Sequence, residues 1–180
     1  MCRYGMTTYK PHYACFECRK TFKRRLLKDI KTPDAHPSAA AKCPECGSLM
    51  ADMGLDFKSP LRDDLKAWQH MRNLYAVGIT YHSCGCSGPG YIPADAAALA
   101  NLFLHRKEEY IRNLRFWLNK ADPVNAKDID RDKARNSNEY GKVYHLQGKK
   151  GGVVAQEAVA YWTEQLHAVE HNLGKVLAGI

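Results

Sequence analysis

The chain has 180 residues, 45% of them apolar and 26% charged, enough for one ordinary core with an appendage and too few for several catalytic domains. Lys and Arg number 27 against 19 Asp and Glu, a formal charge of +8, which favours polyanionic partners. Met1-Cys2-Arg3-Tyr4-Gly5 holds no apolar signal core and the longest greasy stretch, 96–104, is far below a membrane span, so a cytoplasmic protein is expected rather than a secreted or membrane-inserted one.

Residues 8–14 alternate apolar and polar side chains and lead into Cys15, as a short strand entering a tight turn does. Residues 21–27 are expected to return as a second strand. The stretch 31–42, with Pro33, Pro37 and an Ala-rich run, reads as an exposed connection, and 48–53 would complete a small antiparallel sheet. Ser59-Pro60 followed by Asp63 and Asp64 predicts a helix start: a hydroxyl cap, proline in the first turn and acids near the positive end. Leu61, Leu65, Trp68, Met71 and Tyr75 recur at spacings of three and four, which makes one helix face core, and Gly78 ends the pattern. Residues 79–82 look like a strand running into Cys84-Gly85-Cys86-Ser87-Gly88-Pro89-Gly90, a loop too glycine-rich to continue either regular structure.

A second helix is predicted over 93–119. From 120 to 152 the chain becomes charged and loop-like, a linker or long excursion that closes with Gly148-Lys149-Lys150-Gly151-Gly152. Val154, Ala158, Trp162, Leu166, Val169, Leu173, Val176 and Ile180 then step by threes and fours, the apolar stripe of a terminal amphipathic helix that packs within the chain or on a second copy. The expected divisions are 1–58, 59–119, 120–152 and 153–180.

Seven cysteines in a chain read as cytoplasmic are thiols or metal ligands rather than a disulfide framework, and the odd number agrees. Four of them form two Cys-x-x-Cys pairs, Cys15/Cys18 and Cys43/Cys46, with 24 residues between. Two tight turns that deliver four thiolates can surround Zn²⁺ tetrahedrally, and a closed Cys₄ set leaves no open position for substrate. In the second turn Pro44 presets the backbone and Gly47 lets amides face a sulfur.

Cys15-Phe16-Glu17-Cys18 and Cys43-Pro44-Glu45-Cys46-Gly47 resemble the two knuckles of the zinc-ribbon superfamily over about the first 55 residues, and 50–57 is similar to small bacterial zinc-ribbon proteins of unassigned role. The resemblance implies an α+β fold: an N-terminal Cys₄ ribbon holding one structural Zn²⁺, then a mainly helical region. The spacer is slightly long, which an insertion at 31–42 explains at little entropic cost.

Arg19, Lys20, Lys23, Arg24, Arg25, Lys28 and Lys31 set seven positive charges against Asp29 alone within 13 residues. A tetrathiolate zinc is formally 2−, lowering the chain to about +6 and leaving this strip as the main cationic feature. Arginine forks grip phosphates, and Tyr13, Phe16 and Phe22 either offer stacking faces or build the small core, the second being preferred.

Other motifs are weaker. Cys2, His82, Cys84 and Cys86 are enough soft ligands for a second zinc, and a nucleophilic cysteine with His82 or His12 as base is conceivable; a tight turn with free thiols is the blander account. His167-Ala168-Val169-Glu170-His171 matches an inverted zinc-peptidase string, but no acid follows in the chain to complete such a site, so an exposed helix face is expected. Asp128, Asp130, Asp132, Asn136 and Glu139 fit a calcium-loop template in part, yet Lys133 stands where glycine is needed and Arg131 and Arg135 repel a cation. The expectation is a non-catalytic module that binds RNA, DNA or a nucleoprotein through Arg19, Lys20, Lys23, Arg24, Arg25 and Lys28. The alternatives are a zinc-stabilised adaptor docking a protein partner through the ribbon or the terminal helix, or a self-associating scaffold, and a thiol or metal enzyme using the 84–90 loop.

Overall fold

A computed structural model describes residues 10–24, 41–83, 86–123, 125–148 and 151–179. The fold is α+β: a small three-stranded antiparallel sheet at the N-terminal end, then helices. The chain divides into two compact units, 1–99 and 100–179.

In the first unit β1 (His12–Cys15) lies between β2 (Lys20–Lys23) and β3 (Ala51–Gly54). Tyr13 pairs with Phe22 and Cys15 with Lys20 on one side, and Tyr13 with Asp52 on the other. The register slips between His12 and Tyr13, so Met53 is the extra residue of a bulge, and it is fully buried. Alternation then sorts the two faces. Tyr13 and Phe22 pack with Cys15, Cys18, Cys43 and Met50, whereas Ala14, Ala51 and Met53 form a core with Phe57, Trp68, Phe16, Met71 and Tyr81. The preference for core over stacking at Tyr13, Phe16 and Phe22 agrees with this packing.

The first helix, α1 (Leu65–Ala76), begins later than the Ser59-Pro60 signal implied. Asp64 is the cap, its carboxylate accepting the Ala67 N–H at 3.0 Å. Residues 61–64 make a turn instead: Leu61 O accepts the Asp64 N–H and also the Trp68 indole N–H, both at 3.0 Å, while the Ser59 hydroxyl is engaged by Thr21. The buried face is therefore narrower than the periodicity suggested, with Trp68 and Leu74 inside and Leu61, Leu65 and Tyr75 exposed. The end is as read: Gly78 is left-handed, its N–H bonds Tyr75 O and the Ile79 N–H bonds Leu74 O, a Schellman closure. Residues 79–82 are not a strand. They join β3 through a single backbone hydrogen bond, Tyr81 N–H to Met53 O at 2.8 Å, before the left-handed Gly54 turns the chain away.

The second unit holds most of α2 (Ala96–Leu118), α3 (Ala126–Arg135), α4 (Ser137–Lys142), a 3₁₀ turn at Tyr144–Leu146 and α5 (Ala155–Leu177). Trp117, Tyr140, Val143, Val153, Ala155, Ala158 and Trp162 form its core. The stretch 120–152, read as a loop, carries α3 and α4. The cap signal there is Asn125, whose side chain accepts the Asp128 N–H at 3.0 Å. Helix α3 buries no residue of its own, so hydrophobic periodicity could not announce it. Asp128, Asp130 and Asp132 lie along this helix rather than in a calcium loop. The apolar stripe of α5 is spent inside the unit, with Ala158, Trp162, Val169 and Leu173 buried.

Candidate metal centre

The sulfurs of Cys15, Cys18, Cys43 and Cys46 all lie within 4.8 Å of one another, and among the described residues no other group of three or more His, Cys, Asp or Glu is so placed. Each pair comes from a hairpin tip. Cys15 ends β1 and Cys18 sits in the turn to β2; the second turn is closed by Cys43 N–H to Ser48 O at 2.8 Å, Gly47 N–H to Cys43 O at 2.9 Å and an isolated Lys42–Leu49 bridge. The residue after each second cysteine is left-handed, Arg19 at φ 52° and Gly47 at φ 74°. This bend lets the chain leave the knuckle while amides stay on the sulfurs: Cys18 N–H reaches Cys15 Sγ at 3.4 Å, and the Ser48 N–H and hydroxyl reach Cys46.

The spacing fits a tetrahedral ion. Bonds of about 2.3 Å to zinc require sulfur–sulfur edges of about 3.8 Å. Cys15 and Cys46 are 3.6 Å apart and Cys18 and Cys43 3.9 Å. Such crowding is costly for four thiols alone. Ser48 draws Cys46 down to about 6, while Cys18, hydrogen-bonded to Cys46, is pushed up to about 12, and burial pushes Cys15 up. A divalent cation resolves this competition because it takes all four as thiolates. Cys15 and Cys43 are buried, Cys18 is half-buried and Cys46 is exposed.

The knuckles are braced from outside. Phe16 meets Trp68 edge-on at 6.4 Å, the Arg72 guanidinium lies 5.6 Å over its ring, and Arg72 pairs with Glu17 at 2.8 Å, so both middle residues of the first knuckle are held by α1. Lys20, just beyond the first knuckle, is ion-paired with Glu45 inside the second. Glu45 and Arg72 were not singled out from sequence, since only their pairing with distant groups reveals them; Ser48 was missed too, although it acts locally, two residues from Cys46.

The basic strip is divided by the fold. Arg19 is half-buried with its Nε unpartnered, and Lys20 is neutralised by Glu45. Lys23 and Arg24 are exposed; Arg25 and Lys28 lie outside the described residues. Arg24 N–H bonds Pro11 O and its guanidinium bonds Lys42 O at 3.0 Å, while Lys23 pairs across the sheet with His12. Lys10, Lys23 and Arg24 thus sit at the sheet end away from the first knuckle, and Lys42, which directly precedes Cys43, meets Arg24 through its backbone carbonyl; all four are exposed and none is in an ion pair among the described residues. Burial first, and Lys23 second, hold His12 below its ordinary pKa.

Of the second-metal candidates, Cys2 and Cys84 lie outside the described residues. His82 is engaged on both ring nitrogens, with Thr80 Oγ1 at 2.8 Å and Asp52 Oδ1 at 3.2 Å. His167 and His171 are exposed on α5 as expected, and Glu170 between them pairs with Lys107 at 2.8 Å. No helix of the described residues is long and apolar enough to cross a membrane. Compared with protein-family models, curated proteins and solved structures, the chain matches none.

Proposed function

We propose that the four cysteines hold one Zn²⁺ as a structural zinc-ribbon centre, and that the ribbon presents a cationic sheet end to the phosphates of a nucleic acid. The sulfur spacing supports the first half: two opposite edges of 3.6 and 3.9 Å leave room for a tetrahedral ion and for no fifth ligand. Zinc suits the all-thiolate donor set, which is soft and anionic. The centre is therefore non-catalytic; it holds two hairpins that have too little core of their own. Purified without chelator, the protein is expected to carry about one zinc per chain, and its removal to release the amide protection of 10–24 and 41–57 while α5 keeps its own. Hydrogen exchange with and without chelator checks this, and a zinc-free protein with the same protection would refute it.

The support for the second half is the set of exposed cations Lys10, Lys23, Arg24 and Lys42, none of them in an ion pair among the described residues. A polyanion's phosphates are the natural complement, because each neutralised phosphate releases a counterion. With four contacts, affinity for a duplex oligonucleotide is expected to fall about two orders of magnitude between about 50 and 200 mM salt. Replacing all four cations by alanine should flatten the salt slope by about 0.9 per contact and leave zinc content unchanged. An unaltered slope would make this end a solvated face. The adaptor reading placed a partner on the ribbon or on the stripe of α5, and of that stripe Trp162, Val169 and Leu173 are buried in their own unit.

A further inference from the structure

The four sulfurs are alike in chemistry and unlike in access. Cys15 is fully buried and Cys43 nearly so, at 0% and 3% exposed; Cys18 is half-buried, and Cys46 alone is exposed. Cys46 has a buried sulfur within bond-forming approach, Cys15 Sγ at 3.6 Å, and the remaining pair, Cys18 and Cys43, stands 3.9 Å apart on the other edge. Cys15–Cys46 and Cys18–Cys43 each join one knuckle to the other, and each link needs its two sulfurs to close from these separations to a disulfide bond of about 2.05 Å.

We propose that Cys46 is an oxidation site for peroxides, with Cys15 as its resolving partner, so that the centre loses its metal by forming a Cys15–Cys46 disulfide. The inference rests on the zinc reading above. In the first step Cys46 Sγ attacks one peroxide oxygen; a sulfur–oxygen bond forms, the oxygen–oxygen bond breaks, and the second oxygen leaves as hydroxide and is protonated to water. In the second step Cys15 Sγ attacks Cys46 Sγ, a sulfur–sulfur bond forms, and the sulfenic oxygen leaves as hydroxide, again protonated by solvent. The two sulfurs together give up two electrons, the peroxide takes them and becomes two waters, and two solvent protons are consumed. With two of four thiolates gone the metal leaves as the divalent ion it was. Access sets the order, because a peroxide reaches Cys46 without opening the core whereas Cys15 and Cys43 must wait for it.

The experiment uses the full chain loaded with zinc, its metal content measured first. Hydrogen peroxide is added in steps from below one equivalent, released zinc is read with a chromogenic chelator, remaining thiols are alkylated, and linkages are assigned by fragmentation mass spectrometry. The expected result is one Cys15–Cys46 link per zinc released, Cys18–Cys43 appearing only with a second equivalent, and recovery of both thiols and zinc after dithiothreitol and added zinc. Cys86→Ser removes an exposed cysteine outside the cluster and should leave zinc release unchanged. Since Cys46→Ser deletes a ligand and can unfold the ribbon, the order of oxidation in the unaltered protein is the deciding measurement. Zinc retained while other cysteines oxidise, a first disulfide without Cys46, or release abolished by Cys86→Ser would overturn the proposal. A protein that carries no zinc at the outset overturns the metal reading, and this one with it.

Discussion

Arg19 and Gly47 occupy equivalent places, each following the second cysteine of its knuckle, and each is left-handed. Glycine adopts that conformation freely, whereas an L side chain pays about 1–2 kcal/mol for it. Glycine loses about 0.5–1 kcal/mol more backbone entropy on folding, so the two effects partly cancel. Arg19→Gly is therefore expected to stabilise the zinc-loaded protein by about 0.5–1 kcal/mol, and Gly47→Ala to destabilise it by a similar amount. A Cβ on Gly47 would meet nothing within 4 Å, so its cost is conformational alone. Urea midpoints at saturating zinc check the pair; a destabilised Arg19→Gly would mean that the half-buried guanidinium contributes more than its backbone costs.

Between elements, the chain makes a close backbone approach at Gly54, the end of β3. It combines φ 89° with a contact that admits no side chain: a Cβ there would lie 2.5 Å from the backbone of Tyr81 and His82. Neither neighbour is a flexible tip, so Gly54→Ala must push residues 79–83 off the sheet end and strain the backbone as well, on the order of 3 kcal/mol or more. The structural consequence is specific. The Tyr81 N–H to Met53 O bond and the Phe57–Tyr81 ring contact at 5.3 Å should be lost first. Hydrogen exchange at the Tyr81 amide, combined with the urea midpoint, reads both, and a midpoint within about 0.5 kcal/mol of the parent would contradict the close approach.

At the scale of a whole unit, 100–179 is organised around a charge. The Lys120 ammonium, only 8% exposed in its side chain, sits 2.5 Å from Asp132 and within 5.3–5.7 Å of the ring centres of Tyr140, Phe116 and Trp117. Burial pushes the Asp132 carboxyl up, but the Lys120 ammonium, the Tyr140 hydroxyl and the Asn136 amide outweigh it and hold the group below its ordinary value. Burial and the neighbouring carboxylate push the Tyr140 phenol up, which keeps it a donor. A depressed carboxylate contributes stability that is fully present above its unfolded pKa, about 3.9, and is lost as pH falls through the lower folded value. The unit is thus expected to weaken on acidification below about pH 4. Asp132→Asn should cost about 3 kcal/mol at neutral pH by stranding the ammonium, and should flatten the acid limb. Urea midpoints from pH 7 to 2 check both; an acid limb as steep in the variant would assign it to other carboxylates.

The four-cysteine cluster was legible because its geometry is local: a Cys-x-x-Cys turn brings two sulfurs together whatever surrounds it, and two such turns need only one another. Strand β1 and helix α5 were legible for a related reason, since alternation and three-four periodicity record burial directly. Elsewhere local signals competed and distant partners decided. Ser59-Pro60 is a sound helix start by itself, but the Trp68 indole takes the Leu61 carbonyl and Asp64 takes the cap. Helix α3 has no apolar face to advertise; its place depends on Asp132 meeting Lys120 and Tyr140, residues 12 and 8 positions away. The cationic strip was visible as charge density, yet which cations stay free was settled by Glu45 reaching Lys20 across 25 residues and by Lys42 arriving beside Arg24. Composition and spacing determined which donor atoms and charges this chain carries, because ligand type and charge are properties of residues. Tertiary structure decided which of those groups stay available, because availability depends on what each side chain has already met.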